Sequence, residues 1–350
     1  MNSELPILAE VDVAILGGGS GAVACALAAA EAGKSVYLVA SRSYLGEDIA
    51  STFDYWPRRT DAFETDLARR VFPQGPDPDA TPPTPMHVKS TLEQALIEAG
   101  VPFLFHAQPA GVLRDESGRI GGVVIANRAG RQAIVAGQVV DATPRALAAQ
   151  QAGATFTGRP TGSQQVTFVT IGGEPVADAD INYQTLPAMV ARGKKGPIDV
   201  PARRYTLSVD LGDGSARALA KAYVEATDRC WLPGTWMHSE ALKFDHLDHL
   251  ASAIDLDAWP GIHEFPLDAL AVEAGLSLLS PAAVAPAIQL ALQAPIHRVP
   301  ETLTQYRVHD DQITADIPHM DRQYEKLLRR WRGIARRNGR NESLERALLF

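Results

Sequence analysis

A chain of 350 residues, 46% of them apolar, has room for a sizeable core in one large or two ordinary domains, which excludes a disordered polymer. Its net charge of −8 gives no general attraction to phosphate backbones, so nucleic acid is not an expected partner. Only Cys25 and Cys230 occur, neither in a zinc-ligand spacing, which excludes a structural zinc site and a disulfide scaffold and points to a reducing, cytoplasmic setting.

The first ten residues carry acids and a proline ahead of any apolar run, unlike a signal peptide. The small-residue stretch 22–32 is too short for a membrane span and is interrupted by Glu31, so it reads as a buried helix.

In chain order, Val11 to Leu16 predicts a strand that runs into Gly17-Gly18-Gly19-Ser20-Gly21, then an Ala-rich helix to Gly33 and a second strand over residues 35–39. Strand, glycine turn, helix and strand within about thirty residues is the βαβ unit of a parallel sheet. Seven prolines between Pro57 and Pro85 predict a long surface excursion over residues 54–85. A helix over residues 88–99 with Gly100 as its cap and a strand over 102–106 follow, then a β-meander over 111–114, 120–127 and 132–135, then an apolar strand ending at Asp141-Ala142-Thr143.

Beyond about residue 156, strands (165–171, 204–209) mix with helices (215–228, 239–254), an α+β composition that reads as a second domain. The apolar stretch 266–294 carries a helix from about residue 281, and the tail from Met320 is a charged helix. The expected organisation is therefore an α/β, Rossmann-like dinucleotide-binding domain with parallel sheet and β-meander over 1–155. A smaller α+β substrate domain over 156–260, a return to the first domain over 261–300 and a helical tail over 301–350 complete it.

The pattern Gly17-x-Gly19-x-x-Ala22 fits the dinucleotide fingerprint: one glycine for the tight turn, one for close approach of a diphosphate, and a small residue for helix–strand packing. Amides at a helix start then bind the anion with no cationic side chain. At the end of the second strand an acid normally holds the ribose; this chain has Ala40, followed by Ser41-Arg42-Ser43, which suits a 2′-phosphate and keeps NADP open beside FAD.

The run Val11 to Ala22, the later Ser43-Tyr44-Leu45-Gly46, Val88 to Glu93 with Ala99-Gly100-Val101, and Val139 to Thr143 together resemble the FAD-dependent oxidoreductases of the glutathione-reductase-like fold, over roughly residues 8–155. The resemblance implies a flavoenzyme that moves a hydride between a small-molecule substrate and non-covalently bound FAD, with a second domain covering the flavin. It also implies that Gly17, Gly19 and Gly21 lie against the diphosphate with Ser20 and Ala22 among the cofactor-binding residues, that Gly46 approaches from the loop after the second strand, and that Ala142 and Thr143 end beside the cofactor. Three departures, Ala40, Pro109 and Pro144, remove contacts such proteins usually offer, so a member that has lost flavin and serves as a binding or accessory protein is the alternative.

No other constellation outweighs its plain reading. His246-x-x-His249 with His238, Asp245 and Asp248 has ligand-like spacing but reads as a polar helix face, so no metal is expected. His309-Asp310-Asp311 reads as a surface turn, and no G-x-S-x-G elbow supports a hydrolase. Trp231, Trp236, Trp259, Tyr205 and Tyr223 read as core of the second domain, and the nine lysines and arginines from Arg322 to Arg346 as a solvated helix packing Leu327, Leu328 and Trp331. No catalytic residue is assigned, and a homo-oligomer stays open.

Overall fold

The computed structural model describes residues 5–57, 65–75, 77, 79–154, 161–178, 180–236, 242–244, 269–273 and 275–279. The expected βαβ unit is there: β1 (Ile7–Leu16), α1 (Ser20–Glu31) and β2 (Val36–Val39), with β1 and β2 parallel from Val13↔Val36 to Leu16↔Val39. The last four residues of β1 are buried because the strand lies mid-sheet, covered on both faces, as a continuous β-branched and aliphatic run requires.

The chain then passes through α2 (Glu47–Ala50), α3 (Asp66–Val71) and α4 (Pro85–Glu98) to the short β3 (Phe103–Leu104), parallel to β2. The 54–85 stretch is not purely a surface excursion. Tyr55, Trp56, Leu67, Val71 and Phe72 are buried, because the prolines break periodicity without preventing these side chains from packing against α1, α2 and α4. Pro85 closes no loop; it is the first residue of α4, whose N-cap Thr84 accepts from the His87 amide, the position where a missing N–H costs nothing.

The meander is β4 (Gln108–Arg114), β5 (Ile120–Asn127) and β6 (Gly130–Asp141). Where two strands are expected over 132–135 and 139–143, β6 is one strand. Its first half pairs antiparallel with β5, its last residues pair parallel with a returning strand, and its other edge runs parallel with β1. The helix α5 (Leu147–Ala152) follows.

A second, five-stranded antiparallel sheet comprises β7 (Ser163–Gly172), β8 (Asn182–Gly193), β9 (Gly196–Asp210), β10 (Thr235–Trp236) and β11 (Leu242–Phe244). Alternate residues sort to its two faces. Val166, Phe168, Tyr205, Leu207 and Val209 pack under α6 (Ala216–Cys230), whereas Val169, Ile171, Leu186, Met189 and Ala202 join the core around α1, α2 and α4. The Trp56 indole N–H donates to the Pro187 carbonyl of β8 at 3.0 Å.

The helix expected over 239–254 is contradicted at Leu242–Phe244, which pairs with β7 from Phe168 to Val166; an open strand edge satisfies those backbone groups and overrides a weak helical preference. The strands β12 (Ala269–Glu273) and β13 (Leu276–Leu279) bring the chain back onto β6. The expected helix from residue 281, the tail, His238, His246, His249, Trp259 and the 309–311 turn lie outside the described residues. No helix among the described residues is long and apolar enough to cross a membrane.

Candidate functional site

The turn between β1 and α1 lies where the carboxyl ends of β1, β2 and β6 meet, the position at which parallel sheets bind nucleotides. Gly17 has φ +128, and a Cβ there would lie 2.4 Å from the Ala142 carbonyl oxygen, so only glycine lets β1 turn beside the end of β6. Gly19 is the N-cap of α1 and contributes no capping side chain, and no acid lies in the first helical turn. Gly21 and Ala22 are buried in that turn.

Two amides of this turn already have partners. The Ser20 N–H donates to Asp48 Oδ1 at 2.8 Å and its hydroxyl to Asp48 Oδ2, while the Gly18 N–H donates to Glu47 Oε1 at 3.3 Å. Both acids sit in the first turn of α2, presented by Gly46 (φ +81), whose amide donates to the Gly18 carbonyl at 2.6 Å. A Cβ on Gly46 would meet Leu92 at 2.8 Å, so this glycine answers to α4 packing. Glu47 and Asp48 stand outside the dinucleotide fingerprint, and their one signal in the sequence is a pair of acids directly after a glycine.

Arg42 does not extend alone toward a 2′-phosphate: its Nε lies 3.2 Å from Glu47 Oε2. Ser41 donates to Gln108 Oε1 at 2.9 Å, and Ala40 is buried at the end of β2. Ala142 flanks Gly17, whereas the Thr143 hydroxyl turns inward, donating to Asp141 Oδ1 and accepting from the Leu147 amide. The Pro109 carbonyl accepts from Gln151 Nε2 at 2.8 Å. Lys89 of α4 lies 3.7 Å from the Tyr44 ring centroid, and its ammonium is pushed below the usual lysine range by burial. Among the described residues no cluster of His, Cys, Asp and Glu has the makings of a metal site.

A model of the FAD-dependent oxidoreductase family matches residues 12–201, more than half of the chain. The chain belongs to that family. It is accordingly a redox enzyme whose family cofactor is FAD. No curated protein sequence matches it. Among solved structures it is similar to the myxobacterial chondrochloren halogenase, an FAD-dependent halogenase (16% identity, 81% of this chain and 72% of that one, TM-score 0.43). It is similar also to the L-proline dehydrogenase of P. horikoshii (15%, 85% and 96%, 0.42). A third is the glycerol-3-phosphate dehydrogenase of Bacillus halodurans complexed with FAD (13%, 81% and 63%, 0.42). Likenesses this distant carry no argument about substrate.

The backbone frame of this oxidoreductase fits a dinucleotide: strand, left-handed glycine, helix start and small neighbours are in place. Its anion seat does not fit as folded, because two carboxylates hold the amides of Gly18 and Ser20. Burial, opposed by the Ser20 hydrogen bonds, raises the part-buried Asp48 carboxyl from 3.8 to about 6. A raised value means that the folded chain holds a proton the unfolded chain has shed. That stabilisation is complete below about pH 4 and lost as the pH rises through 6. Asp48→Asn keeps an acceptor for Ser20 and cannot ionise, so its stability relative to wild type should rise by about 2 kcal/mol between pH 4 and 7, discounted for partial exposure. Urea unfolding of both proteins across that range checks it; parallel curves contradict it.

Proposed function

We propose that the β1–α1 turn seats the diphosphate of FAD on the amides around Gly19, Ser20, Gly21 and Ala22. The adenosine end then runs toward Ala40, Ser41 and Arg42, with Gly46, Ala142 and Thr143 as flanking walls. The observation that carries this reading is a helix start capped by a bare glycine at the carboxyl edge of a parallel sheet. Bound FAD supplies a two-electron redox centre. The chain's own part is to grip the diphosphate and to fix its direction by the close packing of Gly17 against Ala142.

We divide the molecule as residues 1–155 with 261–300 for the cofactor, 156–260 for a small-molecule substrate, and a separate tail over 301–350. The five-stranded sheet, joined to the cofactor side through Trp56 and Pro187, supports that division. A reducing cytosol suits Cys25 and Cys230, both buried free thiols pushed up to about 12 by burial.

The test is the absorbance of the purified protein before and after heat release of cofactor, followed by gel filtration with added FAD, NADPH or NADH. One FAD retained per chain, with no retention of either nicotinamide nucleotide, is expected. A colourless protein that retains no added FAD overturns the reading.

A further inference from the structure

We infer that Glu47 and Asp48 are an internal stand-in for the cofactor's diphosphate: their carboxylates occupy part of the anion seat, and FAD enters by displacing them. This rests on the proposed seating of FAD on the β1–α1 turn. Three observations carry it. The two carboxylates bond the Ser20 amide, one of those proposed to take the diphosphate, and the neighbouring Gly18 amide, at 2.8 and 3.3 Å. They satisfy the positive end of α1, which has no acid of its own and no capping side chain. They are also on one short helix, α2, so a single displacement frees both amides.

The charges around the seat argue against simple coexistence. Glu47 is paired with Arg42, but Asp48 has no cationic partner among the described residues; its surroundings are Ser20 of α1 and Glu47 beside it. Lys89, from α4, lies over Tyr44. A diphosphate brought onto the same amides would add negative charge beside two carboxylates in a poorly solvated site, so either the acids leave or the diphosphate does not enter.

A competitor that acts only on the free protein slows binding without affecting release. Stopped-flow flavin fluorescence on the cofactor-free full chain, for wild type, Glu47→Gln, Asp48→Asn and the double variant, reads both steps. About tenfold faster FAD association and tighter binding are expected in the double variant, the repulsion between two carboxylates and the incoming diphosphate being removed, with dissociation within about twofold of wild type. Unchanged association overturns the inference and leaves the FAD reading standing. A slower association, or a change confined to dissociation, makes the acids part of the bound state and also overturns it. If neither wild type nor variants bind FAD, the proposed function falls with it. Each single variant keeps its hydrogen-bond acceptor, so one well-folded single variant suffices.

Discussion

Gly17→Ala is expected to abolish FAD binding and to lower the melting temperature of the cofactor-free protein by about 10 °C, the effect of roughly 3 to 5 kcal/mol in a domain of this size. The new methyl carbon would sit 2.4 Å from the Ala142 carbonyl oxygen and 2.8 Å from its carbon, both backbone atoms and unable to rotate away. The residue would also hold φ +128, which an L side chain resists. Relief requires β1 and β6 to part where the Ala142 amide donates to the Leu16 carbonyl at 2.7 Å, the junction that aims the turn. Differential scanning calorimetry reads the stability and FAD titration the seat. A melting temperature within about 2 °C of wild type would show that the junction yields, and that the glycine is not a packing requirement.

The second large effect is expected at Asp141. Its carboxylate is fully buried and accepts from the Thr143 amide and hydroxyl at 3.0 and 2.7 Å and from the Ala148 and Ala149 amides at 2.7 and 3.0 Å. Burial pushes the carboxyl above the usual aspartate range while these four donors pull it back. Asp141→Ala leaves those donors without an acceptor in a dry site, and α5, six residues long, cannot hold itself. A loss of about 4 kcal/mol is expected, since one buried donor left unpaired costs about 1 to 3 kcal/mol and the four are not independent. Denaturant unfolding measures the loss, and hydrogen exchange should show the α5 amides losing protection first. A loss under about 1 kcal/mol would mean that water replaces the carboxylate, and the cap would then count for little.

Asp141 also shows how far the sequence could be read. The run from Val139 to Thr143 marks a buried strand that ends near the turn, and so it does. That Asp141 points away from the turn to cap α5 was not legible, because the amides it serves lie seven and eight residues on, in a helix with no periodic signal of its own. The β1–α1–β2 unit was legible apart from the first four residues of β1, because burial, period and glycines all agree there. In the five-stranded sheet they disagree. β8 and β9 contain Pro187, Pro197 and Pro201, and the turn joining them is Lys194-Lys195, flanked by Gly193 and Gly196, with none of the residues that usually mark a two-residue hairpin. β8 therefore went unpredicted. The closed seat was hidden for another reason: Glu47 and Asp48 meet Gly18 and Ser20 across 29 and 28 residues, a pairing that only the parallel β1–β2 register creates.

One anion, the diphosphate of FAD, is expected on the β1–α1 turn. A crystal structure of the full chain with FAD bound tests it directly. Diphosphate oxygens are expected within hydrogen-bonding distance of the Ser20 amide, with the Asp48 and Glu47 carboxylates turned off the Ser20 and Gly18 amides. A diphosphate bound elsewhere, with both acids still on those amides, would contradict it.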